Sequence, residues 1–224
     1  MSSDRPHAAP SPAASSPAAT QLPHEPGAGD ELASVLTQRG GPLLDALEAH
    51  FPGSRDQAEA ASSYAFAAAV ELGLTRPSAE LIRAAARLHD VGRVYVPAEV
   101  LAKPAWSRTP DEGALVESHH AKGAGLARGA GVPERVCEWI RLGGERYDGG
   151  GPNRLAGAAI PLQARISRAA HACYAALVEP APERPEPTHH QPGPIGALRA
   201  GAARELDPMV VGALAAVLRR AGQA

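Results

Sequence analysis

Six prolines, Pro42, Pro77, Pro110, Pro133, Pro161 and Pro208, each stand just ahead of a stretch whose apolar residues recur every three or four positions. Proline is tolerated in the first turn of a helix and excluded from its interior, so each one reads as a helix start. Gly40-Gly41, Gly73 and Gly92 read as the matching stops. The pattern predicts a helix capped by Asp30 that carries Leu32, Val35 and Leu36 and ends at Gly40-Gly41. A second helix runs from Pro42 through Leu43, Leu44 and Leu47 to Phe51-Pro52-Gly53. A long alanine-rich helix follows over 54–72, with Tyr64, Ala68 and Leu72 facing inward. Aromatic residues make up only 4% of the chain, so its core must be built from Ala, Leu, Val and Ile. Small side chains favour close-packed helices over a β-sandwich. The expected architecture is all-α, compact, with eight or nine helices and essentially no sheet.

A chain of 224 residues can bury one sizeable core. Residues 1–28, rich in Pro, Ala and Ser, carry hardly any large apolar side chain and are expected to be a disordered tail, His7 and His24 included. Residues 29–224 are expected to form one helical domain, interrupted by a Pro-rich loop at 179–194 in which His189 and His190 are solvated. The net charge of −2, with both signs interspersed, advertises no surface for a nucleic-acid polymer. No apolar stretch resembles a secretory signal or is long enough to span a bilayer, so a soluble, cytoplasmic protein is expected. Cys137 and Cys173 fall within helical apolar patterns and read as small core residues.

The chemistry gathers around Leu88-His89-Asp90-Val91-Gly92-Arg93. Leu81, Ile82, Ala85 and Leu88 form an apolar stripe on the helix opened by Pro77, and His89 falls on that side before Gly92 releases the chain. Imidazole nitrogen beside carboxylate oxygen suits iron, manganese or zinc, although a core histidine with a capping aspartate would show the same dipeptide. Residues 94–97 read as a short extended piece and 98–103 as a short helix. Thr109-Pro110-Asp111-Glu112 is a capping box, and in the helix it starts Leu115, His119 and Leu126 share a face. His119 therefore points inward, with His120 turned about 100° away. The Gly-rich stretch 143–160 lacks the Gly-Lys-Ser/Thr ending of a nucleotide-binding P-loop. In the helix after Pro161, His171 flanks a stripe of Ile166, Ala169, Cys173 and Leu177, and Asp207-Pro208 opens a last amphipathic helix.

These blocks together resemble the HD-GYP branch of the HD-domain metal-dependent phosphohydrolases, over roughly residues 54–224. LHDVGRVYVPAEVLAKP is similar to that family's LHDxGKxxxPxxxLxKP, and SHHAKGAGLA to its H-x-x-x-G helix, with His119 and Gly123 in register. ERYDGGGPNRLAGAAIPLQARI resembles the segment that follows two adjacent histidines in the family, and LDPMVVGAL its C-terminal FDPxLVxxF. The resemblance implies an all-helical HD-domain fold. Active members hydrolyse cyclic di-GMP with two or three metal ions, often iron or manganese, which hold the phosphate and neutralise charge developing on its oxygens.

The resemblance carries over to His89 and Asp90 as catalytic residues and metal ligands, and to His119 as a ligand. His171 replaces a family aspartate, so His89, Asp90, His119 and His171 are the candidate set for a single ion of iron, manganese or zinc. Arg93 stands where the family has lysine and is the candidate phosphate contact. Glu145, Arg146 and Asp148 are expected to fix the glycine-rich loop by internal ion pairs, while Trp139 and Tyr147 read as core. Elsewhere the chain departs from the pattern. Gln57 stands near the place of an upstream histidine, Gly143 and Gly144 replace the adjacent histidines, and Gly150-Gly151-Pro152 lacks the tyrosine of Gly-Tyr-Pro. Arg184 is the counterpart offered for the arginine of the family's D-R-P-Y. The reading is thus a degenerate member, a regulatory or nucleotide-signalling module with one metal ion or none. Its expected partners are a cyclic dinucleotide or other phosphorylated small molecule and a signalling protein. The alternatives are an active single-metal phosphohydrolase at His89 and Asp90, and a helical scaffold for protein partners.

Overall fold

A computed structural model describes the backbone of residues 28–178 and 193–223. The expected tail before residue 28, most of the Pro-rich loop, Arg184, His189 and His190 lie outside the described residues. Ten α-helices form among the described residues: α1 (Ala28–His50), α2 (Ser54–Glu71), α3 (Arg76–Ala86), α4 (Ala98–Leu101), α5 (Pro110–Glu117), α6 (His119–Gly129), α7 (Glu134–Arg141), α8 (Leu162–Val178), α9 (Pro194–Gly201) and α10 (Pro208–Arg220). Extended pairing among them is confined to isolated bridges, Asp148 with Ala156 and Ala202 with Leu206.

Small side chains set the packing. Ala61, Ala65, Ala68 and Ala69 of α2 are fully buried and let α3 and α8 approach its backbone closely. Ile82 of α3, Ile166 and Cys173 of α8 and Leu214 and Leu218 of α10 complete that core. A second core joins Leu36 and Leu44 of α1 to Leu81 and Leu88, Ala124 and Ala127 of α6 and Trp139 and Ile140 of α7. Cys137 and Cys173 are buried free thiols, and burial pushes the Cys173 thiol up to about 12, so it stays protonated. Asp207 caps α10, accepting from the Met209 amide at 2.8 Å, while its other oxygen pairs with Arg165 and ties α8 to α10.

Several boundaries differ from the sequence expectation, each for a tertiary reason. The first two expected helices are one, α1, which starts before Asp30 and runs through Gly40, Gly41 and Pro42. Gly40 is not a stop: a Cβ there would lie 2.6 Å from a Leu88 methyl, so glycine lets α1 settle on the segment that carries His89. Helix α3 ends at Ala86, and Leu88, His89 and Val91 continue in tight turns, their amides bonding Ala85, Ala86 and Leu88 carbonyls. Residues Val91–Tyr95 are a 3-10 turn rather than an extended piece. The capping box at Thr109 is present in full, but its helix stops at Glu117 and α6 begins afresh at His119. Helix α9 carries buried Ile195 and Leu198 and was not anticipated.

Candidate metal centre

The end of α3, the N-terminus of α6 and the middle of α8 meet where His89, Asp90, His119 and His171 sit. What brings them together is a glycine contact. A Cβ on Gly92 would lie 1.9 Å from the His119 carbonyl oxygen and 2.5 Å from the Gly123 amide nitrogen. The turn after Asp90 therefore lies directly on the first turns of α6, and the role of Gly92 is close approach rather than helix termination.

Both oxygens of Asp90 are committed. Oδ1 is 3.1 Å from His119 Nε2 and 3.3 Å from Arg93 Nε, and Oδ2 is 3.3 Å from His171 Nδ1. Burial alone would raise the Asp90 carboxyl, but Arg93, His171 and the contact with His119 hold it well below the usual carboxylate range. Backbone carbonyls fix the facing tautomers. His119 Nδ1 lies against the Val116 carbonyl and His171 Nε2 is 3.1 Å from the Ala86 carbonyl. A carbonyl only accepts, so those nitrogens carry the protons. In the neutral rings, His119 Nε2 and His171 Nδ1 are then lone pairs facing carboxylate lone pairs. Acceptor facing acceptor repels unless a cation lies between or the rings are doubly protonated. A carbonyl fixing the far nitrogen is also how a ligating imidazole is oriented toward its ion.

The four expected ligands do not converge as one set. Donor atoms within 4.8 Å of one another form two overlapping groups, His89 with Asp90 and His171, and His89 with His119 and His120. Asp90 is the reason: with one oxygen toward each ring, it stands between His119 and His171. His120 corrects the helical-wheel expectation. It is buried at 8% exposure, and its ring centroid is 4.6 Å from that of His89 and 3.8 Å from that of His119. Because the chain restarts at His119, the phase carried from Leu115 does not apply. Burial first, then neighbouring imidazoles, push both His89 and His120 well below the ordinary histidine range, so both rings are neutral near pH 7.

The cluster lies on a cleft of about 1010 Å³ lined also by Gln57, Arg93, Lys103, Trp106, Arg168 and Glu205. Trp106 is 76% exposed at this cleft. Arg168, unremarked in the sequence, donates to the carbonyls of Glu205 at 3.2 Å and Gly143 at 3.3 Å. The three loop residues stand apart from the ligands. Arg146 pairs with Asp148 at 2.8 Å and with Glu205 at 3.0 Å, as the ion-pair expectation had it. Glu145 differs. It is 2% exposed and accepts from the Asn153 amide and side chain, both at 2.7 Å, and from the Leu155 amide at 3.0 Å, so it braces the loop through its backbone. Trp139 is buried and Tyr147 half-buried.

Curated proteins similar in sequence to this chain are phosphodiesterases by name. The chain is 36% identical over 132 residues to the cyclic di-GMP phosphodiesterase response regulator RpfG of Xanthomonas campestris, 55% of this chain and 33% of that protein. It is 30% identical over 128 residues to the 3'3'-cGAMP-specific phosphodiesterase 2 of Vibrio cholerae, 56% of this chain and 24% of that protein. The chain thus spans about a quarter to a third of these curated relatives. The fold is similar to that of Bd1817, an HDG"Y"P protein from Bdellovibrio bacteriovorus, at a TM-score of 0.62 and 20% identity over 85% of this chain and 62% of that one. No described helix is long and apolar enough to cross a membrane. The HD-domain family model matches residues 43–210, a span that holds His89, Asp90, His119 and His171 together, and the chain belongs to the HD-domain family.

Proposed function

We propose that this chain is a nucleotide-signalling module that holds one divalent cation at His89, Asp90 and His171 and binds a phosphorylated small molecule of the cyclic dinucleotide class in the adjoining cleft. The observation that carries the reading is the buried Asp90 carboxylate, one oxygen 3.1 Å from His119 Nε2 and the other 3.3 Å from His171 Nδ1, with the far nitrogen of each ring against a backbone carbonyl. A divalent ion between Asp90 Oδ2 and His171 Nδ1 would accept a lone pair from each, and two imidazoles with a carboxylate suit iron, manganese or zinc. When bound, the ion would supply Lewis-acid charge to a phosphate oxygen. The chain's own residues do the rest. Arg93, 3.3 Å from Asp90 and on the cleft wall, offers guanidinium donors to a phosphate. The exposed indole of Trp106 offers a face on which a base can stack.

Regulation is favoured over turnover because Gln57 is a weak ligand and Gly143 and Gly144 bring no side-chain donor where the resemblance expects histidines. The second reading, hydrolysis by a single ion, is favoured by the His89–Asp90–His171 set, which supplies three ligands to one ion. Elemental analysis of tag-free protein beside His89→Ala tests the ion: about one divalent metal per chain is expected, lost in the variant. Calorimetric titration with cyclic di-GMP, with and without chelator, tests the ligand, and chromatography of the same mixtures for linear products separates binding from hydrolysis. Equal metal in wild type and His89→Ala, or none when purified under conditions that preserve iron, would sink the reading.

A further inference from the structure

Gly143 and Gly144 do not have the positive φ that calls for glycine. What they lack is room. A Cβ on Gly143 would lie 2.5 Å from His89 Cε1, 2.7 Å from His89 Nδ1 and 3.4 Å from His120 Nδ1, and one on Gly144 would lie 2.6 Å from His120 Cδ2. The glycine pair is the floor on which the His89 and His120 rings rest. Both Nδ1 atoms lie near the same spot above Gly143, both are buried, and neither has a hydrogen-bond partner among the described residues. Buried imidazole nitrogens normally find a partner, and two left without one beside the same spot are free to hold a ligand that accepts lone pairs. His119 stands beside them, its ring centroid 3.8 Å from that of His120, and the three rings offer donor atoms within 4.8 Å of one another.

We propose that His120 completes a second, all-nitrogen metal position with His89 and His119, opened by Gly143 and Gly144, and that this position takes a nitrogen-preferring divalent ion of the zinc class. It rests on the reading of His89 as a ligand. It differs in preference from the neighbouring set, whose Asp90 carboxylate suits the more oxygen-tolerant manganese or iron(II). His89 is common to both, so the ion supplied decides which position fills. The His119 tautomer fits either way, since its Nε2 bears the lone pair.

The test is a pair of titrations, zinc(II) and manganese(II), on the full chain and on His120→Ala, His171→Ala and Gly144→Ala, with far-UV circular dichroism to confirm folding. His120→Ala should weaken zinc by at least ~10-fold and leave manganese within ~3-fold, while His171→Ala should do the reverse. Gly144→Ala keeps every imidazole but pushes the His120 ring aside, and should also weaken zinc. It decides the matter should His120→Ala not fold. Cobalt(II), a visible probe of the same position, should give a d–d band that changes in His120→Ala. Zinc binding unaffected by His120→Ala and Gly144→Ala, or an equal loss of both ions, overturns this position. If manganese still depends on His171, the proposed function survives that result. A wild type that binds neither ion overturns both.

Discussion

Replacing Gly92 by alanine tests how the centre is assembled. The added methyl would sit 1.9 Å from the His119 carbonyl oxygen and 2.5 Å from the Gly123 amide nitrogen, both backbone atoms inside α6. A side chain could rotate away, but a helix backbone must move as a body. Contacts of this kind do not occur below 3.0 Å, so α6 and the turn after Asp90 must part by about 1 Å. Overpacking usually costs about 1–3 kcal/mol, and a two-atom backbone clash belongs at the top of that range or beyond. At about 2–4 °C per kcal/mol for a chain of this size, the thermal midpoint should fall by roughly 6–12 °C. The comparison series is internal. Gly123→Ala meets the Gly92 amide nitrogen at 3.0 Å and should cost less, while Gly125→Ala, in the same helix with nothing within 4 Å, should be neutral or raise stability by about 0.5–1 kcal/mol. Calorimetric or dichroic melts of the three variants read the order directly. A Gly92→Ala midpoint within about 2 °C of wild type, or one above that of Gly125→Ala, would refute the glycine contact as what sets the His119–Asp90 spacing.

Ile82 is fully buried in the core shared by α2, α3, α8 and α10, so Ile82→Ala should cost about 2–5 kcal/mol in urea unfolding, whereas Val70→Ala, at a site 49% exposed, should stay within about 0.5 kcal/mol. Stripping the metal-loaded protein with a chelator should lower its melting midpoint, by about 2.7 kcal/mol or roughly 5–10 °C if the free ion had been at about 100 times its dissociation constant; an unchanged midpoint would count against a folded-state ion. The metal-free protein should lose stability as pH falls. His89 and His120 lie below the ordinary 6.5 in the fold and return to it on unfolding, so below 6.5 unfolding takes up protons. Melts at pH 7.5 and 5.5 should show that loss, smaller in His120→Ala; a flat profile would mean the two rings are not held neutral.

What the sequence made legible is what depends on neighbours along the chain. The Thr109 capping box is a pattern of four consecutive residues, and it forms as written. The starts at Arg76, Pro110, Leu162 and Pro208 follow the same local logic. Pro42 fails because helix α1 is held by what it packs on: Gly40 fits against Leu88, and that contact outweighs the break that Gly40-Gly41-Pro42 invites. Gly92 reads as a stop, yet its reason lies 27 residues onward in the His119 carbonyl, which no local rule shows. His120 fails for a subtler cause. A helical wheel assumes one uninterrupted phase from Pro110, and the chain breaks that phase at Ser118. The glycine pair is the one trace of His120 in the sequence: Gly143 and Gly144 sit in a 3-10 turn that needs no positive φ, and it is the rings above them that leave no room for a Cβ.

The same reasoning explains why His89 and Asp90 need not imply the rest of a family site. Asp90 is buried, ionised and faced on both oxygens by imidazoles whose protons point away to Val116 and Ala86. Had the pair been a structural relic, the cheaper arrangement was at hand: either ring could turn its N–H to the carboxylate and make an ordinary hydrogen bond, as a core histidine does. Both rings instead place one nitrogen against a backbone carbonyl, so in a singly protonated ring the nitrogen facing Asp90 is a lone pair. Arg93 offsets part of the Asp90 charge, so the carboxylate alone does not require a second cation for neutrality. In singly protonated rings it is the direction of the lone pairs, rather than the count of charges, that favours an electron-pair acceptor between Asp90 and His171.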